Sequence, residues 1–101
     1  MTRLIDVEET HKFWSGTKLR RYGVGLNVDD ESEDYYDYIL AYAHWEKDSM
    51  MLVNITDGNS KAGSVYSGTV PIDTATGQAV INIKGLKHTL GEDLQGWYLR
   101  E

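Results

Sequence analysis

The side chains that could catalyse a reaction or hold a metal ion are few and widely spaced in this chain. Its three histidines, His11, His44 and His88, do not have the i, i+4 spacing that places two imidazoles on one helix face, and no HExxH sequence is present. The absence of cysteine excludes thiolate metal sites, disulfides and thiol nucleophiles. A serine nucleophile needs an adjacent base, and the GxSxG turn is also missing. We therefore expect no catalytic residues, no metal site and no cofactor.

Among the side chains that could take part in catalysis or metal binding, only the carboxylates cluster in the sequence. Six of the nine residues from 29 to 37 are acidic: Asp29, Asp30, Glu31, Glu33, Asp34 and Asp37. The run does not have the spacing of a calcium-binding loop, because it lacks the glycine at the sharp turn and the glutamate at the twelfth position. Its acids are instead suited to pairing with the lysines and arginines of another protein.

Tyrosines adjoin these acids directly. The chain contains three tryptophans and seven tyrosines, and both residue types are favoured at the energetic centres of protein interfaces. Aromatic faces beside carboxylates suit basic side chains, since the rings add cation–π contacts to the charge pairs. The alternative is that the tyrosines belong to the core and the acids to a solvated loop. The predicted partner-binding residues are Asp29, Asp30, Glu31, Glu33, Asp34, Tyr35, Tyr36, Asp37 and Tyr38.

The overall charge favours the same kind of partner. The net charge is −6 and the pI is about 4.9, which repels nucleic acid and anionic membranes and attracts basic proteins. No apolar run reaches the roughly 20 residues of a membrane span, and the first ten residues lack the apolar core of a signal peptide. We expect a cytoplasmic protein in which residues 1–101 form a single domain.

Two helices are predicted, one near each end of the chain. In residues 1–16, Asp6 and Glu9 resemble a capping box, and Val7, His11 and Trp14 fall on one helical face. After Gly85, leucines recur every four residues, as on one stripe of a helix that Gly91 interrupts. The sequence therefore predicts a short strand or extended lead followed by an N-terminal helix, and a short C-terminal helix. Residues 3–7 are also compatible with a strand.

Between these helices, alternating apolar residues and turn sequences predict about five strands. The predicted strands are 22–28, 35–45, 50–56, 64–72 and 78–84, and the third is expected to direct Met51, Val53 and Ile55 inward. Pro71 cannot donate to a ladder and is expected at a sheet edge. The basic residues of 17–21 either form a solvated face or balance the charge of the acidic residues across a hairpin. The predicted fold class is α+β, with a mainly antiparallel meander sheet.

This small, acidic, cysteine-free chain with the run DDESEDYYDY at residues 29–38 resembles the bacterial immunity proteins of contact-dependent growth inhibition and related polymorphic toxin systems. The resemblance is one of overall character. It implies that the partner is a cognate protein toxin, often a basic nuclease, whose active site is shielded by carboxylates placed where substrate phosphates would lie. It implies neither nucleic-acid nor membrane binding. A carbohydrate- or small-ligand-binding module that uses the tyrosine and tryptophan side chains, and a small enzyme, remain as alternatives.

Overall fold

The computed structural model describes residues 1–22, 35–56 and 62–100, which form a mixed structure of antiparallel strands and one α-helix. Six strands pair in the order β1-β8-β3-β4-β5-β6, and β2 and β7 form a separate two-stranded ribbon. The strands are β1 (Thr2–Arg3), β2 (Phe13–Trp14), β3 (Lys18–Tyr22), β4 (Tyr35–Tyr42), β5 (Ser49–Asn54), β6 (Val70–Pro71), β7 (Val80–Ile81) and β8 (Trp97–Leu99). The predicted α+β class and antiparallel sheet are confirmed.

Three helical segments pack against one face of the sheet: α1 (Ile83–Leu90), the 3-10 helix Gly91–Gly96 that follows it, and the short 3-10 helix Leu4–Asp6. We call this side of the sheet the core face. A further 3-10 helix, Thr74–Thr76, lies between β6 and β7. The strand side chains of the core face and the leucines of α1 form one buried cluster. That cluster consists of Leu4, Phe13, Leu19, Tyr38, Leu40, Met50, Leu52, Val70, Ile81, Leu86, Leu90, Leu94 and Trp97. Among the described residues, no helix has the length and apolar character needed to cross a membrane.

The C-terminal helix begins and ends where local chemistry requires it. The side chain of Asn82 accepts a hydrogen bond from the backbone N–H of Gly85 at 2.9 Å, which satisfies a donor left free in the first turn. Gly91 follows the helix with φ of +58°, a conformation that residues with a Cβ rarely adopt. The predicted leucine stripe is confirmed, since Leu86, Leu90 and Leu94 are all buried.

The predicted N-terminal helix is wrong. In its place are β1, the short 3-10 helix Leu4–Asp6 and β2. Phe13 is fully buried while its neighbour Trp14 is half exposed, and β2 pairs with β7 through Phe13↔Ile81 and Trp14↔Val80. This alternation is that of a strand. Pairing with a distant segment therefore overrides the weak helical spacing of the sequence.

The central strands match the prediction in position but differ in detail. The predicted strand 35–45 corresponds to β4, which ends at Tyr42 and leaves Trp45 exposed. In β5 the residues that point into the core are Met50, Leu52 and Asn54, so the predicted inward face was wrong.

The strands on either side of these are shorter than predicted. Of the predicted strand 64–72, only β6 and an isolated bridge at Val65 are present, with Pro71 at the sheet edge as expected. Of the predicted strand 78–84, β7 remains and α1 already begins at Ile83. Most of the predicted strand 22–28 lies outside the described residues.

Candidate functional site

The predicted partner-binding residues divide into three groups. Asp29, Asp30, Glu31, Glu33 and Asp34 lie outside the described residues. The remaining four, from Tyr35 to Tyr38, open β4 and alternate between the two faces of the sheet because successive side chains of a strand point in opposite directions.

On the core face, Tyr36 packs against the hydrophobic cluster and Tyr38 is only 5% exposed within it. The ring of Tyr38 lies 4.9 Å from that of Trp97, centroid to centroid. Burial raises the pKa of Tyr38, and the charge of Arg21 partly opposes this effect. Tyr38 therefore stabilises the fold, and its side chain is out of reach of a partner.

On the opposite side, which we call the outer face, Asp37 pairs with two arginines. Arg20 lies directly across the ladder from Asp37, and its Nε and Nη2 donate to the two carboxylate oxygens at 2.7 and 3.1 Å. Arg100 donates from Nη1 to Oδ2 at 3.1 Å. The hydrogen bonds of Arg20 to Asp37 raise the pKa of Arg20 above its ordinary value. The expectation that basic residues of 17–21 balance the acids across a hairpin is confirmed for this pair.

The backbone around Asp37 is held equally firmly. Its N–H donates to the hydroxyl of Thr56 at 2.8 Å, and its carbonyl accepts from the N–H of Ile55 at 2.8 Å. The same Thr56 hydroxyl donates to the side chain of Asn54 at 2.7 Å. Every polar group of Asp37 thus has a partner within the chain, which leaves this carboxylate little capacity to bind a second protein.

The outer face also carries a cluster of three tyrosines. Tyr22 pairs with Tyr35 across the ladder, and its ring lies 6.0 Å from Tyr35 and 5.1 Å from Tyr98 in edge-on arrangements. The guanidinium carbon of Arg20 lies 4.0 Å from the centre of the Tyr35 ring, a close cation–π contact. All three residues are half-buried, so this tyrosine cluster is partly accessible. It adjoins Asp34 in the sequence.

The charge of the chain is divided unevenly between the described residues and the rest. The described residues contain nine Lys and Arg and nine Asp and Glu, so they carry no net formal charge. The net charge of −6 therefore resides in the other residues, to which the run from 29 to 34 contributes five acids. Tyr35 thus marks a boundary in the sequence between the acidic run and described residues that carry no net formal charge.

Several residues of this site were not predicted from the sequence. Tyr22 and Arg20 each had a signal, the first in an alternating strand pattern and the second in the basic cluster. Tyr98 lies in the segment 97–99, whose sequence predicts a short closing strand or docked tail, and β8 confirms the strand. Arg100 had no signal, and both residues reach the outer face only through the pairing of β8 with β3. That pairing joins segments about 80 residues apart in the sequence, a separation that local patterns do not report.

The described residues contain no group of three or more histidine and carboxylate side chains placed to bind a metal ion. What they do offer is an aromatic surface beside partly buried charge pairs, next in sequence to a dense acidic run. Searches against protein-family models, curated proteins and solved structures found no match to this chain.

Proposed function

We propose that this protein is an immunity protein, which binds and neutralises a cognate, basic toxin domain by covering its active site. The observation that carries the proposal is the junction at Tyr35. Five acids lie in the six residues before it, and the ordered tyrosine cluster of the outer face begins at it.

Such a junction combines two properties of an inhibitor that associates rapidly and binds tightly: clustered charge and apolar contact area. Clustered carboxylates accelerate encounter with a basic surface and fix the orientation of the complex. Tyrosine rings supply apolar contact area at low entropic cost, because each has only two rotatable side-chain bonds. We assign the acids to steering and charge pairing, and Tyr35 with Tyr22 and Tyr98 to packing.

The fold narrows the proposed binding surface. Asp37 is committed to Arg20 and Arg100, and Tyr38 to the core. The proposed surface is therefore the acidic run together with the exposed edges of the tyrosine cluster, whereas Asp37 and Tyr38 hold that surface in place.

The test takes the C-terminal domain of the protein encoded immediately upstream as the candidate toxin. Co-expression with the present chain should restore growth, and the purified proteins should form a complex whose association slows as salt rises. Replacing the acids of residues 29–34 by their amides should weaken binding at least tenfold, whereas the matched pair Glu46→Gln and Asp48→Asn, two exposed acids of the β4–β5 turn, should change it little. Equal effects of the two sets, or no rescue of growth, would refute the proposal.

A carbohydrate-binding module is the second candidate, and the tyrosine cluster itself favours it. Rings grouped on one sheet face suit stacking against sugars. Binding of this kind should respond little to salt and should survive neutralisation of the acidic run. Titration of the chain with an array of neutral oligosaccharides at low and high salt separates the two functions.

A further inference from the structure

A cleft lined by positive side chains lies beside the outer face, where β2 and β3 meet the end of β8. Its volume is about 510 Å³, and its walls include Lys12, Lys18, Arg100, His11 and the half-exposed ring of Trp14. None of the described residues that line it is a carboxylate. We call it the cationic cleft. The charge of its lining is positive, whereas the net charge of the chain is −6.

Of the three cations of the cationic cleft, only Arg100 has an acidic partner among the described residues. Lys18 forms no ion pair with any of the described residues, and Lys12 donates from Nζ to the neutral side chain of Gln78 at 2.9 Å. Arg100 shares Asp37 with Arg20, so a single carboxylate faces two guanidinium groups. Three cations around one small cleft repel one another unless an anion lies between them.

Arg100 is fixed in position before any ligand arrives. Its backbone N–H donates to the carbonyl of Lys18 at 3.0 Å, and its Nη1 is bonded to Asp37. A guanidinium has five N–H donors in a rigid fork that matches a carboxylate. Asp37 occupies one of the five, so donors remain for a second carboxylate. Fixing the fork in advance lowers the entropic cost of binding.

We propose that the cationic cleft binds the carboxylate side chains of an acidic segment of a partner protein. Lys18 and Arg100 supply the charge pairs, and the ring of Trp14 supplies apolar contact for the carbon atoms of the same side chains. The inference does not depend on the toxin-binding function, because it rests on Lys18, Arg100 and Trp14 and not on the acidic run.

The size of the cleft and the shape of its donors favour carboxylate side chains. The guanidinium fork of Arg100 matches the two oxygens of a carboxylate. A cleft of about 510 Å³ accommodates a few side chains.

The test uses the isolated protein and a tetraglutamate peptide blocked at both ends, with tetraglutamine as the control peptide. At low ionic strength, tetraglutamate should bind saturably and shift the indole N–H resonance of Trp14 in two-dimensional NMR, and tetraglutamine should not. Lys18→Gln should weaken binding about threefold, as expected for one exposed charge pair. Lys84→Gln on α1, outside the cleft, is the matched control and should bind as the parent does.

The inference is overturned if tetraglutamate does not saturate, or if Lys18→Gln and Lys84→Gln bind equally. It is also overturned if inorganic phosphate or an oligothymidylate binds the cleft more tightly than the peptide, since the site would then select phosphate. Thermal melts of both variants show that each is folded. None of these measurements involves the toxin, so their outcome is separate from that of the proposed function.

Discussion

The substitution Asp37→Asn removes the negative charge between Arg20 and Arg100 while it preserves the shape of the side chain. The carboxylate is nearly buried, with 11% of its side chain exposed, whereas those of Arg20 and Arg100 are 19% and 37% exposed. Breaking a fully buried ion pair costs about 3–5 kcal/mol, and an exposed pair contributes about 0–1 kcal/mol. Because both guanidinium groups keep some contact with water, we expect a loss of about 2 kcal/mol in the free energy of unfolding.

Urea denaturation followed by far-ultraviolet circular dichroism measures this loss as a lower midpoint with an unchanged slope. For a domain of this size the corresponding fall in Tm is about 10 °C. The matched control is Asp93→Asn, which removes an exposed partner of Arg21 at 3.2 Å. We expect that control to cost less than about 0.5 kcal/mol and to show no cost at high salt.

A result in which Asp37→Asn costs no more than Asp93→Asn would refute the reasoning, as would a loss that disappears in high salt. Either outcome would mean that Asp37 is not held in an internal network. The prediction also bears on the mapping of the binding surface. If the Asp37→Asn variant binds a partner more weakly, its stability has to be measured as well. Only a loss of affinity in a folded variant would show that the carboxylate contacts the partner.

Two further predictions concern the core and the helix cap. Burial raises the pKa of Tyr38 above its ordinary value of 10.0, so the folded state holds this proton more tightly, and stability should fall as the pH rises beyond about 10. The stability lost between about pH 8 and pH 11 should be smaller in Tyr38→Phe than in the matched variant Tyr42→Phe at an exposed site. If the free energy of unfolding, measured with urea at each pH, falls equally in both variants, the assignment is contradicted. Asn82→Ala should destabilise the protein by about 1 kcal/mol through loss of the cap on Gly85, and an unchanged urea midpoint would show that the cap is not needed.

The parts of the fold that local patterns predict correctly are those with a strong single signal. The stripe Leu86, Leu90 and Leu94 has a helical period on one apolar face, and Pro71 lacks the donor that a central strand requires. The segment that becomes β5 has no such signal, since Met50 and Leu52 are as apolar as Met51 and Val53. Its inward face is therefore set by pairing with β4, and the sequence of the segment does not reveal it.

The candidate site was predicted in its composition and not in its arrangement. The acidic run and the adjoining tyrosines are evident from the sequence. Because successive side chains of β4 point to opposite faces, however, Tyr36 and Tyr38 lie on the core face. The partners that fix Asp37 come from β3 and from the residue after β8, and the second of these lies 63 residues away. Long-range pairing decides which side chains share a surface, and a single sequence carries no direct record of it.

The position of β8 has a consequence for how the protein is made. This strand lies between β1 and β3, so residues near the start of the chain pair with Leu99 and Tyr98 across almost the whole sequence. During translation the sheet cannot close until residue 99 has left the ribosome. Until then β3 exposes an unpaired edge, and the core lacks Trp97. Such distant contacts predict slow folding, and a nascent chain stalled before β8 should be a good substrate for chaperones and proteases.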